Sequence, residues 1–241
     1  MIDTTPLTTV AFDADDTLWH NEMLFREAED EIARLLAPFE VEHVVKREMY
    51  RVETANLGAY GYGIKGFTLS MVELAQAVSG GRAGDAVYVE ILAIGKRMLA
   101  APVEVLPGVE EALAALEPRF RLLVVTKGDL LDQRRKLERS GLADRFHHVE
   151  VVSDKRPADY REVLRRLDLE PRELLMVGNS LKSDVLPLLE LGAQAVHIPY
   201  HVTWEHERAA PLPHHAYLEL ADVTELVAAL SASATPPTAA P

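Results

Sequence analysis

The stretch "VAFDADDTLW", residues 10–19, places three carboxylates directly after a short apolar run. The apolar residues Val10 to Phe12 predict a buried strand, and Asp13, Asp15 and Asp16 follow it. Acidic side chains this close together repel one another unless a cation or a proton offsets their charge. The stretch therefore indicates a strand that carries an acidic group at its carboxyl end.

The second half of the chain alternates between short apolar runs and helical segments. Strands are predicted at residues 121–126, 148–153, 173–180 and 193–199, with helices between them. This alternation is typical of a parallel sheet that is covered by helices on both faces. We therefore predict an α/β fold with a doubly wound parallel sheet, to which the strand at residue 10 also belongs.

The segment after the first strand contains helical patterns and no clear strand. Asn21 is predicted to cap a helix that ends at Pro38, and a second helix spans about residues 41–57. The glycine-rich "GAYGYGIKG", residues 58–66, predicts a loop. Further helices are expected over residues 68–78 and from Asp85 onward. The segment thus reads as a small all-helical domain inserted into the α/β core.

These patterns predict a division of the chain into three parts. Residues 1–19 and 101–230 would form the α/β core, and residues 20–100 the helical insert. The tail "SASATPPTAAP", residues 231–241, is rich in small residues and proline, so we expect it to be disordered.

Composition narrows the possible functions. The chain of 241 residues has no cysteine, which excludes disulfides, thiolate catalysis and cysteine-ligated zinc. Its formal net charge of -13 argues against nucleic acid or an anionic membrane as the main partner. No signal peptide and no membrane-spanning apolar run is visible, so we expect a cytoplasmic protein. For its oligomeric state we expect a monomer or a homodimer.

Polar residues recur at the predicted carboxyl ends of the strands, which is where ligands bind in a doubly wound sheet. In chain order they are Asp13 and Asp15, Thr126 and Lys127, Lys155, and Asn179 and Asp184. Carboxylates are hard oxygen ligands that suit Mg²⁺. A hydroxyl, an ammonium group and free backbone N–H groups suit a phosphoryl group. The constellation predicts a site for a metal ion and a phosphate.

Four segments resemble, in order, the four motifs of the haloacid dehalogenase (HAD) superfamily of hydrolases. They are "DADDT", "VVTKG", the Lys155 region "SDKRPADY", and "VGNSLKSD". The resemblance runs from about residue 8 to residue 200. It implies a HAD-type sheet, a helical cap after the first motif, and hydrolysis of a small phosphorylated metabolite.

The resemblance also implies a role for each motif residue. Asp13 would be the nucleophile that takes the phosphoryl group, and Asp15 the general acid and base. Thr126, Lys127 and Lys155 would bind the phosphoryl group of the substrate.

The resemblance places Mg²⁺ on Asp13, on the backbone carbonyl of Asp15 and on Asp184. The fourth motif of the superfamily usually begins Gly-Asp, and this chain has Asn179 in place of that Asp. Asn179 can still bind the metal through its amide oxygen, but it lacks the charge, so we expect a working and weaker site. Asp16 lies within "DADDT" but is not one of its motif positions, and it is interpreted as a loop or capping residue.

Three further segments receive interpretations. The glycine-rich loop with Tyr60, Tyr62 and Lys65 is the candidate for the part of the cap that reaches into the site, where Lys65 would bind an anionic substrate group. The segment "PYHVTWEHE", residues 199–207, is interpreted as surface structure, with closure of one side of the site or packing against the cap as the alternatives. The run "RRKLER", residues 134–139, is interpreted as the solvated face of a helix, and the alternative is that it offsets the acidic field locally.

Four functions remain open at this point. The first is a Mg²⁺-dependent phosphatase that hydrolyses a small phosphate monoester through an aspartyl phosphate. A halide-releasing hydrolase of the same superfamily would need neither Mg²⁺ nor Asp15, and a phosphomutase would isomerise a sugar phosphate. A non-catalytic phosphate-binding protein that retains the fold is the fourth, and Asn179 is the residue in its favour.

Overall fold

A six-stranded parallel sheet forms the centre of the computed structural model, which describes residues 2–210 and 217–232. The strands are β1 (Thr9–Phe12), β2 (Arg121–Lys127), β3 (His148–Val152), β4 (Leu174–Gly178), β5 (Gln194–His197) and β6 (Leu218–Glu219). Their order is β3-β2-β1-β4-β5-β6, and every neighbouring pair is parallel. The predicted doubly wound fold is confirmed, with β1 between β2 and β4.

Helices cover both faces of this sheet and also form the insert. They are α1 (Glu22–Leu36), α2 (Glu42–Tyr60), α3 (Ile64–Ser79), α4 (Asp85–Ala100), α5 (Val109–Leu116), α6 (Leu130–Ser140), α7 (Pro157–Leu167), α8 (Leu186–Glu190) and α9 (Thr224–Ala232). Among the described residues, no helix combines the length and apolar character needed to cross a membrane.

The core strands are apolar because both of their faces are buried. Successive side chains point to opposite faces, so Val10 and Phe12 pack in one hydrophobic cluster and Ala11 in another. The first cluster includes residues of α5 and α9, and the second includes residues of α7 and α8. This layering fixes β1 at the centre, with its carboxyl end at the edge where the site forms.

The inserted helices α1 to α4 pack around a hydrophobic cluster of their own, which includes Ile32, Met71 and Ile91. The two chain segments that join this cap to the core run side by side. His20 N–H donates to the carbonyl oxygen of Glu104 at 3.0 Å, and Trp19 pairs with Val105 in an antiparallel bridge. The parallel sheet with its flanking helices confirms the predicted fold class, while the role of the helical insert as a cap and its division from the core at residues 20 and 100 stay predictions.

The glycine-rich segment 58–66 was predicted to be a loop, and most of that prediction is wrong. Helix α2 continues to Tyr60 and α3 begins at Ile64, so Gly61–Gly63 alone separates them. Gly61 and Gly63 have φ values of 73° and 102°, which side chains disfavour. Gly66 lies within α3, and glycine is needed there because a Cβ would lie 2.7 Å from the carbonyl oxygen of Gly61. Two of the four glycines in the segment therefore serve the turn, and Gly66 serves close packing.

Two further expectations need correction. Asn21 occupies the N-cap position of α1, but its side chain makes no capping bond. Oδ1 of Asp16 instead accepts hydrogen bonds from the N–H groups of Asn21 at 2.8 Å and Glu22 at 3.1 Å, which confirms Asp16 as a capping residue. The tail was predicted to be disordered from residue 231, but α9 extends to Ala232 because "ELVAALSA" consists of residues that tolerate a helix. Residues 233–241 lie outside the described part of the chain.

Candidate active site

Asp13 follows β1 directly and lies at the centre of the carboxyl-end edge of the sheet. Its N–H group donates to the carbonyl oxygen of Val177 in β4 at 2.9 Å, which continues the strand pairing by one residue. The side chain is buried. Burial, which Lys155 partly opposes, raises the pKa of Asp13 to about 7.

Lys155 joins two of the predicted carboxylates. Its ammonium group donates to Oδ1 of Asp13 and, at 2.7 Å, to Oδ1 of Asp184. The Lys155 side chain is 1% exposed. Burial lowers its pKa, but the two carboxylates prevail and hold the pKa well above the usual value. Three motif residues from three strand ends thus meet around one ammonium group.

The fourth motif is shaped so that Asp184 can reach this point. Oδ2 of Asp184 accepts a hydrogen bond from the N–H of Ser180 at 3.0 Å. Gly178 lies beneath the carboxylate, since a Cβ there would be 2.3 Å from Oδ2 of Asp184. A side chain at residue 178 would displace Asp184, so the glycine is needed for close approach.

The side chains of Asn179 and Asp13 both lie within hydrogen-bond distance of the Thr17 hydroxyl group. The Oγ1 atom of Thr17 lies 3.3 Å from Oδ2 of Asp13 and 3.4 Å from Oδ1 of Asn179. Asn179 and Asp13 therefore present oxygen atoms to a common region.

The chemistry of these donors fits Mg²⁺. Asp13, Asp184 and Asn179 supply carboxylate and amide oxygens, which are hard ligands. Within the described ranges, no group of three or more histidine, aspartate or glutamate side chains is arranged around a metal position. The metal would accordingly rest on two carboxylates, the Asn179 amide and backbone oxygen.

The Asp15 carboxylate is held by three donors. Oδ1 accepts from Nε1 of Trp19 at 2.8 Å and from Nζ of Lys136 at 2.6 Å, and Oδ2 accepts from Nε2 of Gln133 at 2.8 Å. Burial alone would raise the pKa of Asp15, but the charge of Lys136 and these hydrogen bonds hold it below the usual value. Sequence reasoning missed Lys136, because the run 134–139 was interpreted as solvated. That interpretation is wrong for Lys136, although Arg134 and Arg135 are exposed.

Thr126 and Lys127 come from the end of β2 and line the same cavity. Thr126 is buried. Nζ of Lys127 donates to Oγ of Ser183 at 2.9 Å, pairs with Glu207, and lies 4.4 Å from the centre of the Tyr62 ring. Lys127 is therefore engaged by both the core and the cap.

Glu207 is a site residue that the sequence did not reveal. Its Oε2 accepts hydrogen bonds from the hydroxyls of Ser180 at 2.6 Å and Ser183 at 2.5 Å. Burial would raise its pKa, but Lys127 and the hydrogen bonds lower it to about 2. The segment 199–207 was interpreted as surface structure, yet Glu207 and Trp204 line the cavity, and Trp204 packs against Tyr62 of the cap.

Lys65 lies in the first turn of α3, where the cap meets the core. Its Nζ pairs with Oδ1 of Asp129 at 2.8 Å, and the side chain is 48% exposed. Tyr62, Gly63 and Gly66 line the cavity, whereas Lys65 is not among the lining residues. Its proposed contact with substrate stays a prediction.

The cavity lies between the core residues and the cap and holds about 1130 Å³ of space, part of it open to solvent. Its cap side carries the carboxylates of Glu22, Glu29 and Glu53. Arg26 pairs with Glu22 at 3.1 Å and with Glu29 at 3.0 Å. Burial first, and then the neighbouring carboxylates, raise the pKa of Glu53 to about 8. On the core side, the cavity is therefore lined by residues that suit a phosphoryl group. On the cap side, the carboxylates of Glu22, Glu29 and Glu53 form an acidic wall.

The family model of haloacid dehalogenase-like hydrolases matches residues 7–192, which include all of the motif residues described above. The chain belongs to the haloacid dehalogenase-like hydrolase family. The resemblance of the four motifs is confirmed, and this HAD-like hydrolase is an enzyme of the hydrolase class.

Known proteins are similar to this HAD-like hydrolase over different lengths. The solved structure of a haloacid dehalogenase-like family hydrolase from Xanthomonas campestris matches this chain with a TM-score of 0.85. The two sequences are 38% identical, and the match covers 95% of this chain and 92% of that one. The human N-acylneuraminate-9-phosphatase is 25% identical over 92% of both chains. A glyceraldehyde 3-phosphate phosphatase from Pyrococcus abyssi is 31% identical over 100 residues, which span 39% of this chain and 42% of that protein.

Proposed function

We propose that this HAD-like hydrolase is a Mg²⁺-dependent phosphatase that hydrolyses a small phosphate monoester through an aspartyl phosphate. The observation that carries the proposal is the contact of Lys155 with both Asp13 and Asp184 at the floor of the cavity. A nucleophilic carboxylate, a metal-binding carboxylate and a phosphate-binding ammonium group are there in direct contact. The two curated relatives, both named phosphatases, support the same chemistry.

In the first half of the reaction, Thr126 and Lys155 bind oxygens of the phosphoryl group and orient phosphorus toward Asp13. The Asp13 carboxylate forms a bond to phosphorus while the ester bond between phosphorus and the leaving oxygen breaks. The proton of a monoprotonated substrate phosphate passes to Asp15 and from Asp15 to that oxygen, so the product leaves as an alcohol and Asp15 is ionised again.

In the second half, water attacks phosphorus, Asp15 takes its proton, and Asp15 then returns that proton to the departing phosphate. The bond between phosphorus and Asp13 breaks, phosphate leaves, and Asp13 returns to its carboxylate form. Bound Mg²⁺, held by Asp13, Asp184, Asn179 and the backbone carbonyl of Asp15, would offset the repulsion between phosphate and Asp13. The cap side of the cavity encloses the leaving group and limits the entry of other water molecules.

The test is release of phosphate from p-nitrophenyl phosphate with Mg²⁺ and with EDTA, for the wild type and for Asp13→Asn. Asp144→Asn is the matched control, because Asp144 is an exposed aspartate that belongs to none of the four motifs and does not line the cavity. Release that needs Mg²⁺, is lost in Asp13→Asn and is kept in Asp144→Asn supports the proposal. Mass spectrometry of acid-quenched enzyme should show one added phosphoryl group in the wild type and none in Asp13→Asn.

Other outcomes of these assays would favour other functions. Halide release from a 2-haloacid in EDTA would identify a halide-releasing hydrolase, and conversion of a sugar phosphate into its isomer would identify a phosphomutase. Measurable Mg²⁺ binding without turnover of a broad panel of phosphates would favour a non-catalytic binding protein.

A further inference from the structure

The Asp15 clamp, defined as Trp19, Gln133 and Lys136, surrounds the proposed acid and base with three donors. None of the three belongs to the four motifs. Together they occupy both carboxylate oxygens, at distances of 2.6 to 2.8 Å. These contacts are largely shielded from solvent, because the Gln133 residue is 5% exposed and the Lys136 side chain is 14% exposed.

The clamp forms because the fold places helix α6 beside the Asp15 carboxylate. Helix α6 starts just after β2, at the edge of the sheet where the site lies. Gln133 and Lys136 are three residues apart and so share one face of this helix. Trp19 is fully buried, and its indole N–H requires an acceptor, which Asp15 provides.

The clamp also connects Asp15 to the chain segment that enters the cap before α1. Nζ of Lys136 donates a second hydrogen bond, at 3.1 Å, to Oδ1 of Asn21, the residue before α1. Trp19 pairs with Val105, which lies on the other chain segment between cap and core. Asp15 is therefore fixed to the same structural unit that anchors the cap.

A lysine and a carboxylate would not be buried side by side without a strong mutual contact, since each charge loses hydration. A carboxylate with two neutral donors alone keeps more freedom to rotate than one that is also bound to an ammonium group. Proton transfer requires the carboxylate oxygen to lie within hydrogen-bond reach of the leaving oxygen, and a displacement of about 1 Å costs roughly 10²-fold in rate.

We propose that Lys136 is a positioning residue. With Gln133 and Trp19, it orients the Asp15 carboxylate toward the leaving oxygen of the substrate. The inference rests on the proposed phosphatase function, because it assigns Lys136 an effect through Asp15. Lys136 lines the cavity as well, so a direct contact with substrate is the competing explanation that the experiment must separate.

The experiment compares kcat/KM for esters whose leaving groups differ in their need for a proton. The series is p-nitrophenyl phosphate, phenyl phosphate and glycerol phosphate, in saturating Mg²⁺. For Lys136→Met, we expect a loss of about 10- to 100-fold with glycerol phosphate and a loss below about threefold with p-nitrophenyl phosphate, whose leaving group is stable as an anion. Lys136→Arg should recover most of the loss.

Two further variants test whether the effect is specific to the contacts with Asp15. Arg135→Met removes a neighbouring exposed cation from the same helix and should leave the whole series unchanged. Gln133→Leu removes a neutral donor from Asp15 without changing the charge, and it should reproduce the same leaving-group pattern with a smaller amplitude. Thermal unfolding of each variant shows whether it is folded at the assay temperature.

A double-mutant cycle decides how Lys136 acts. If it acts through Asp15, then Lys136→Met lowers kcat/KM no further in an Asp15→Asn background. An equal loss across all three esters in Lys136→Met and Gln133→Leu, or an additional loss in the Asp15→Asn background, overturns the inference and leaves the phosphatase proposal intact. Absence of turnover by the wild type would instead overturn the phosphatase proposal, and the inference with it.

Discussion

Lys155 and Asp184 form a buried ion pair of 2.7 Å at the carboxyl-end edge of the sheet. Lys155 follows β3 and Asp184 follows β4, and these strands lie on opposite sides of β1. The pair therefore crosses the end of β1, where Asp13 accepts a second hydrogen bond from the same ammonium group. One cation offsets two carboxylates that would otherwise repel each other in a poorly hydrated environment.

The first prediction concerns this arrangement. Lys155→Met would leave Asp13 and Asp184 buried without their cation, and breaking a buried pair in this way costs about 3–5 kcal/mol. We expect the Tm in EDTA to fall by roughly 10 °C. Mg²⁺ should raise the Tm of the variant more than that of the wild type, because the metal ion takes over the role of the missing charge.

Differential scanning fluorimetry with and without Mg²⁺ measures this effect. Lys96→Met removes an exposed lysine from the cap and is expected to change the Tm little in either condition. A Tm for Lys155→Met that equals that of the wild type in EDTA would show that the buried pair contributes no stability.

The second prediction concerns the unusual residue of the fourth motif. Asn179→Asp would add a negative charge beside Asp13, with which Asn179 shares the Thr17 hydroxyl. We expect Mg²⁺ to bind about tenfold more tightly, which corresponds to ~1.4 kcal/mol. In EDTA the variant should be less stable than the wild type, because the added charge is then not offset.

Isothermal titration calorimetry with MgCl₂ provides the affinity independently of turnover. Asn56→Asp adds the same charge on helix α2 at the cap side of the cavity and should leave Mg²⁺ affinity within about twofold. Unchanged Mg²⁺ affinity in Asn179→Asp would argue that residue 179 does not bind the metal.

The sequence was sufficient to predict the fold and the proximity of several motif side chains, because both follow from short-range patterns. Apolar runs mark the strands, and a parallel sheet places the ends of all strands at one edge. Asp13, Lys155 and Asp184 could therefore be placed near one another before the structure was known, although 171 positions separate the first from the last.

The clamp and the loop residues could not be predicted because they depend on tertiary geometry. Lys136 belongs to a run of charged residues whose pattern is that of a solvated helix, and only the position of α6 beside the site buries it. Glu207 reaches the site through an irregular segment that has no periodicity to interpret. The glycines of residues 58–66 were misleading, since their number suggested a loop where most of the segment is helical and Gly66 serves close packing.

The third prediction concerns the acidic wall of the cavity. The pKa of Glu53 is raised from 4.5 to about 8, so the folded state binds the proton more tightly than the unfolded state. The stability that Glu53 contributes is therefore full below about pH 4.5 and is lost as the pH rises from 4.5 through 8. The carboxylates of Glu22 and Glu29 face Glu53 from α1, and Arg26 partly offsets them. Glu53→Gln removes the charge, so its Tm at pH 9 should exceed that of the wild type by about 3 °C or more.

At pH 5 the two proteins should have nearly the same Tm, because Glu53 is then protonated in the folded state. Glu27→Gln removes an exposed carboxylate from α1 and serves as the control at both pH values. A Tm difference between Glu53→Gln and the wild type that is equal at pH 5 and pH 9 would contradict the raised pKa.

The last prediction separates two roles for Lys65. Its ion pair with Asp129 is largely exposed, and pairs of this kind contribute about 0–1 kcal/mol. If Lys65 only joins the cap to the core, Lys65→Met should change KM by less than about threefold and Asp129→Asn should act in the same way. Lys127→Met is the comparison, because Lys127 lines the cavity and its removal should raise KM more strongly. A tenfold rise in KM for Lys65→Met, absent in Asp129→Asn, would instead mean that Lys65 leaves its partner and binds an anionic group of the substrate when the cap closes.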